Sequence, residues 1–445
     1  MAPSPDLLAD LSELIAIPSV SADEAHFGDV RAAGEWARDR IRASGGAAEL
    51  VDTDRHPLVI GELSASERPE SAPTVLCYAH FDVQPPDPLD LWESAPFELT
   101  QRDGRLFARG VADDKGNLFA LVEAAGRLAR AGELPVNVRF AFDGEEEVGG
   151  DSVVVWVEQD RGPADAALIL DGGMVRPGQP TFFVGVRGML YFHVRVRTGA
   201  TDMHSGMFGG VALNALHALM QALGAVVPGP DGRVPEPLRA GVEPPSEDEL
   251  RAWAALPPGP EELAHYGAVE ITPGAAAKLH VRTFADTSLD VNGIAGGSPD
   301  LVKTVLPVET RANVSIRLAP GQDPDAIRPV FEQLVREAAP RGAEVEIVLR
   351  NRARPAVTQV DSPIVRLAGE AFEQIVGSPP LLVRTGGTLP AYAALVDRGL
   401  PTIMTGFGVE TDWNVHAPNE NVPEDAITLG VETMAEVFRR FAALG

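Results

Sequence analysis

The chain is predicted to be an α/β protein whose mostly parallel central sheet is interrupted by an inserted α+β domain. Three observations predict this. Apolar runs at 74–79, 136–142 and 166–170 each end in an acid or a His-x-Asp, with helical periodicity between them. After Gly188 the pattern becomes a strict alternation (Leu190, Phe192, Val194, Val196), as in an antiparallel strand with one solvated face. Beyond 354 the α/β pattern resumes. At 445 residues the chain is too long for one ordinary core. Residues 1–187 with 354–445 are therefore expected to form one domain, and 188–353 the insertion.

The elements follow in order. Leu7, Leu8, Leu11, Leu14 and Ile15 recur at helical spacing, and Pro18 ends the run. This stretch lacks a basic leader region, so an amphipathic helix is expected there and not a secretory signal. A second helix is expected over 29–44, weakly alternating strands over 47–63, and an ordered Pro- and Asp-rich loop over 84–98. The periodicity of Leu118, Leu121, Val122, Ala125 and Leu128 predicts a helix ending near Gly132. In the insertion, helices are expected near 212–226 and over 324–338. Strands are expected near 276–283, 311–318 and 343–349, and the Pro- and Glu-rich stretch 228–266 carries no assignment. The returning pattern gives helices at 363–376, 390–398 and 424–443, and a strand at 401–405.

Composition excludes some classes of function. Hydrophobic content of 45% and charged content of 23% are those of a soluble globular protein. A net charge of −27, from 37 basic and 64 acidic residues, argues against nucleic acid or an anionic membrane as partner, because phosphate binding needs a basic surface. No apolar run approaches the ~18 residues of a membrane span. The one cysteine, Cys77, lies in a strand-like run and is expected to be packing; a reducing cytoplasm is the simplest compartment.

The chemistry is carried by strand ends and loops. His80 and Asp82 follow the first apolar run, Asp113 and Asp114 precede a helix, and Glu145, Glu146 and Glu147 follow the run 136–142. Asp171 ends the run 166–170, and His416 lies in a late polar loop. Each feature alone has an ordinary reading: paired aspartates cap helices, and an acidic turn is usually solvated. At the carboxyl ends of parallel strands, however, such residues converge on the ligand site. Two histidines and several carboxylates suit a pair of divalent ions, Zn²⁺ first, with Mn²⁺ or Co²⁺ as substitutes. A spare carboxylate would serve as general base. Which glutamate of 145–147 does which job stays open at this point.

These stretches resemble the M20 metallopeptidases, most closely the dipeptidase branch. The matches are YAHFDVQPP (78–86), RGVADDKGN (109–117), FDGEEEVGG (142–150), LDGG (170–173), HSGMFGG (204–210), KTVLP (303–307), SIRL (315–318), GGTLP (386–390) and NVHAPNE (414–420). The resemblance implies a zinc-peptidase-like catalytic domain with an inserted lid and dimerisation domain. It implies that His80 and Asp171 bind one metal, that Glu147 and His416 bind the other, and that Asp113 bridges them, with Asp82 orienting His80. It implies a cis Asp113–Asp114 peptide, and a metal-bound hydroxide with Glu146 as general base. It also implies a homodimer in which His204 completes the partner's active site as oxyanion stabiliser. Arg317, Thr304, Gly387 and Thr388 correspond to positions that hold the substrate. The expected substrate is a dipeptide; an aminoacylase or carboxypeptidase of the same family is the alternative. Val148 and Asn117 depart from the dipeptidase branch, where Ser and Pro are usual, while Asp171 favours it over members that use Glu. A two-metal phosphatase would prefer clustered cations near the site, and only Lys115 and Arg317 are available. A metal-storing protein would need neither a base nor a lid histidine.

Overall fold

The computed structural model describes residues 3–409 and 413–444. The chain divides into two compact units: Met1–Val184 with Thr358–Val383 and Ala394–Gly445, and Gly185–Val357 with Arg384–Ala393. Among the described residues no helix is long and apolar enough to cross a membrane.

The first unit is built on an eight-stranded sheet. Its order is Ala47–Val51, Leu58–Leu63, Asn137–Asp143, Thr74–His80, Ala166–Leu170, Thr402–Thr405, Thr181–Phe183, Leu381–Val383. The third to sixth strands are mutually parallel. Thr74–His80 is buried at every position, as expected of a parallel strand covered on both faces. That burial explains its unbroken apolar run and leaves Cys77 a fully buried thiol. Helix Lys115–Ala131 ends at Gly132, whose φ of 72° is the left-handed cap that glycine adopts without strain. This helix packs against Thr74–His80 and against helix Ala426–Phe441, which in turn packs on Pro363–Val376.

Parallel pairing brings the functional ends to one edge. His80 stands in register with Asp143, and the Phe81 amide donates to the Asp143 carbonyl at 2.9 Å. Asp171 leaves its strand beside Thr405, whose carbonyl accepts its amide at 3.1 Å.

The second unit holds a four-stranded antiparallel sheet in the order Ser288–Ala295, Glu309–Leu318, Gly188–Arg197, Glu344–Ala353. Leu190, Phe192, Val194 and Val196 are fully buried and alternate with more exposed residues. They face helices Ala215–Gly224 and Pro324–Ala338, with the Phe192 and Phe331 rings stacked at 4.4 Å.

One expected strand is absent. Residues 276–283 are helical, as a 3-10 turn Ala276–Lys278 running into helix Leu279–Phe284. Alanine and leucine favour helix there, and a helix places His280 and Phe284 on one face, where Phe284 packs edge-on against Trp253 at 5.3 Å. The strand of this region lies later, at Ser288–Ala295. Nor is 228–266 without structure: it forms short helices Glu247–Trp253 and Gly259–His265. The first opens with a Ser246/Glu249 capping box, a signal present in the sequence.

Candidate metal centre

At the carboxyl edge of the first unit's sheet, two groups of ligand atoms share one residue. His80, Asp113 and Asp171 form one group and Asp113, Glu147 and His416 the other, each with its atoms within 4.8 Å of one another. Asp113 stands between the histidines: its Oδ1 lies 2.9 Å from His80 Nε2 and its Oδ2 3.0 Å from His416 Nε2. Glu147 Oε2 is 3.1 Å from His416 Nε2, and Asp171 Oδ1 is 3.9 Å from His80 Nε2. The Asp113–Asp114 peptide is cis.

The surrounding chain fixes these groups. The Asp114 carboxylate accepts the His80 amide at 3.1 Å and the Asn117 side-chain amide at 2.8 Å. Asp82 is fully buried and acts as a hub. Its carboxylate accepts the amides of Glu146 (3.3 Å) and Glu147 (3.1 Å) and the Ser21 hydroxyl (2.6 Å). His80 Nδ1 lies 3.1 Å from the Asp82 carbonyl and 3.4 Å from its carboxylate, so Asp82 orients the ring through both groups. The sequence assigns no role to Ser21 or Gln84, and marks Asn117 only as a departure from the dipeptidase branch. They are common polar residues with no pattern of their own, although Gln84 lies in the same loop as Asp82.

The three consecutive glutamates point to three different tasks. Glu145 is buried, and its carboxylate accepts the Ser152 amide at 3.0 Å, at the start of a helix. Glu147 joins the ligand group, and Gln84 Nε2 donates to its Oε2 at 2.8 Å. The Glu146 carboxylate makes no hydrogen bond or ion pair to any described residue. Burial above all holds it well above the ordinary range; the His80 charge opposes that shift, and the acids Asp171 and Glu147 add to it.

The electrostatics are those of a cation site. Burial pushes the Asp171 carboxyl up to about 7. Hydrogen bonds to Asp113 and Glu147 raise His416 to about 10. Burial alone would depress His80, but its bonds to Asp113 and Asp82 hold it well above its usual value. The donor set of imidazole nitrogens and carboxylate oxygens suits borderline divalent ions. Glu147 Oε1 is buried with no hydrogen-bond partner among the described residues, and a cation would satisfy that oxygen. The residues of the two groups, which share Asp113, therefore fit divalent ions.

The remaining residues singled out in the sequence belong to the second unit. His204 is exposed on the short ladder Met203–His204 with Val305–Leu306, and its Nδ1 accepts the Gly206 amide at 3.0 Å, which puts the ring proton on Nε2. The Thr304 carbonyl accepts the Ser205 amide and hydroxyl, each at 2.9 Å. Arg317 is half-buried and donates to Thr388 Oγ1 at 2.7 Å. The Gly387 carbonyl accepts the amide of Arg187 at 3.0 Å. Arg187, the last residue before the insertion expected from the sequence, is buried, and its Nε donates to the Gly386 carbonyl at 2.9 Å. Burial and then the Arg317 charge lower Arg187, against the opposing charges of Asp290 and Asp286, and burial lowers Arg317 against Asp290; among the described residues neither arginine forms an ion pair within 4.0 Å.

Known proteins share this arrangement of sequence and fold. The human Beta-Ala-His dipeptidase is 28% identical over 401 residues, covering 87% of this chain and 78% of its own. The cysteinylglycine-S-conjugate dipeptidase of Corynebacterium striatum is 27% identical over 428 residues, covering 94% of this chain and 91% of its own. The crystal structure of an M20 family metallo-carboxypeptidase from Sulfolobus solfataricus matches with a TM-score of 0.89 at 26% identity, over 99% of this chain and 100% of that one. The pattern of Peptidase family M20/M25/M40 matches residues 76–440, which include every ligand candidate named above. The chain therefore belongs to Peptidase family M20/M25/M40 and is a hydrolase of peptide bonds.

Proposed function

We propose that the chain is a metal-dependent dipeptidase. The observation that carries this reading is the unengaged Glu146 carboxylate beside two ligand groups that share Asp113. His80, Asp113 and Asp171 would hold one divalent ion, and Asp113, Glu147 and His416 the other, Zn²⁺ first with Mn²⁺ or Co²⁺ as substitutes. Bound divalent ions polarise a carbonyl and make water acidic enough to deprotonate near neutral pH. Glu146 accepts the proton of the attacking water as its oxygen adds to the scissile carbon. Glu146 then returns that proton to the amine nitrogen as the C–N bond breaks. Asp82 keeps His80 and the amides of Glu146 and Glu147 in place throughout.

Substrate recognition falls to the second unit. Arg317 and Thr388 hold the dipeptide's carboxylate, with the Gly387 backbone and Thr304 as further contacts. Two arginines here that form no direct ion pair among the described residues support an anionic substrate group. The chain acts as a cytoplasmic homodimer in which the partner's His204 stabilises the oxyanion. Support comes from apolar residues exposed near His204 in the sequence, among them Met207 at 72% and Val211 at 87%.

A second reading, release of a C-terminal residue from longer peptides, is favoured by the likeness to the metallo-carboxypeptidase; release of an acyl group from an N-acyl amino acid is the alternative within the same family. One panel separates them. Metal-loaded and chelator-treated protein are assayed on dipeptides, tripeptides and N-acetyl amino acids. Metal-dependent cleavage of dipeptides supports the first reading; cleavage of only the longer or acylated substrates replaces it with the second.

A further inference from the structure

We propose that Glu420 is a positioning residue that fixes the metal centre, acting with Arg109 as a buried clamp across three ligand-bearing loops. The inference rests on the metal-centre reading above. Glu420 is fully buried, and Arg109 is 1% exposed. One carboxylate oxygen of Glu420, Oε1, accepts the amides of Ala112 at 2.9 Å and Asp113 at 3.1 Å. The other, Oε2, accepts Arg109 Nη1 at 2.6 Å and the Gly110 amide at 3.0 Å. The Glu420 carbonyl accepts the Ala108 amide at 3.1 Å, and Arg109 Nη2 donates to the Pro85 carbonyl at 3.1 Å.

These bonds join the parts of the centre that the sequence separates. Glu420 lies four residues after His416, so its carboxylate ties the His416 loop to the loop of the bridging Asp113. Arg109 extends the tie to the loop that follows His80 and contains Gln84, the donor to Glu147. The His416 loop needs such an anchor. Asn414, His416 and Asn419 have φ of 53°, 61° and 61°, a left-handed backbone that side chains other than glycine adopt at a cost. A carboxylate is required at 420, because each of its oxygens faces donors only. The amide group of a glutamine there would point N–H at N–H in either orientation and leave the Arg109 charge buried without a counter-ion.

The test uses the full-length, metal-free chain and Co²⁺ as both probe and reporter. Binding is measured by chelator competition, coordination by the visible absorption spectrum, and turnover at saturating metal. Glu420→Gln is expected to weaken Co²⁺ binding ~10–100-fold, the usual effect of losing a group that orients ligands. It is also expected to alter the spectrum and to lower kcat more than it raises KM. Arg109→Lys keeps the charge but not the two-pronged reach to Glu420 and Pro85, and is expected to shift affinity in the same direction by less. Glu420→Asp, which restores the charge one methylene short, should fall between Glu420→Gln and the parent. Parent-like affinity and spectrum in a folded Glu420→Gln would overturn the proposal. If that variant does not fold, unchanged Co²⁺ affinity in Arg109→Lys overturns it instead. Absence of Co²⁺ binding by the parent chain would be a different failure, that of the metal-centre reading itself.

Discussion

The side-chain amide of Gln84 donates to both the carboxylate (2.8 Å) and the carbonyl (3.1 Å) of Glu147, and so holds one metal-ligand candidate from two sides. Removing the amide in Gln84→Met leaves a buried carboxylate whose Oε1 already has no partner among the described residues. The ion held by Asp113, Glu147 and His416 is then expected to bind ~10-fold more weakly, with the other ion less affected. A stepwise metal titration of the variant checks this; equal weakening of both steps would contradict it.

Glu146 offers a cleaner separation, because it is proposed to act on the proton and not on the metal. Glu146→Gln should keep its full metal content while kcat falls by ~10²–10⁴. Metal analysis alongside kinetics decides the matter: loss of metal together with activity would place Glu146 among the ligands.

The metal-free chain should lose stability as pH rises from about 4 to 7. Burial pushes the Asp143 carboxyl up to about 8 and that of Asp171 to about 7, from an ordinary 3.8. In this window the folded state binds more protons than the unfolded state, so raising the pH favours unfolding. Above pH 7 two groups act on this trend in opposite directions. His416, raised to about 10, continues it, while Lys115, lowered to about 7 by burial, opposes it. Divalent ions would displace the protons of Asp171 and His416, and their stabilisation should be larger at pH 7 than at pH 5. Calorimetry of chelated and loaded protein at both pH values tests the sign.

Arg317→Met should raise KM for dipeptides by ~10–100-fold, the loss expected for a hydrogen bond to a charged group. The same dipeptides with an amidated C-terminus should be insensitive to the substitution. Equal effects on acid and amide would remove Arg317 from carboxylate recognition.

If the partner's His204 serves each site, inactive variants should complement. Mixing His204→Ala with Glu146→Gln subunits produces dimers in which one site has both groups. Activity should return to about one quarter of the parent level after subunit exchange, since half the dimers are mixed and each has one intact site. No recovery under conditions where exchange is shown by sedimentation would place His204 in its own subunit's chemistry or in none.

Much of this was readable from the chain alone, for physical reasons. The parallel strands announce themselves because burial on both faces demands unbroken apolar runs, as in Thr74–His80. Their ends point to the site because parallel pairing aligns them. The helices Pro324–Ala338 and Pro363–Val376 match their expected limits, each opening on a proline at its first position. The segment 276–283 misled because a short apolar run has no period long enough to tell strand from helix, and contact with Trp253 decided it. Gln84 and Glu420, though inside matched stretches, and Ser21 carry no role in the sequence for a different reason. Their importance lies in which backbone amide or carboxylate they reach across tens or hundreds of residues, and no local pattern records that.

The order of the central sheet bears on how the chain is made. Strand Thr402–Thr405 lies between Ala166–Leu170 and Thr181–Phe183. During synthesis the first half of the sheet must therefore wait, with one edge of Ala166–Leu170 unpaired, until the whole inserted unit has left the ribosome. His416 and Glu420 emerge later still. Pairings this distant in sequence form slowly and leave apolar edges exposed in the meantime. The nascent chain is thus most vulnerable to aggregation while the insertion is being translated, and it gains its complete set of ligands only at the end.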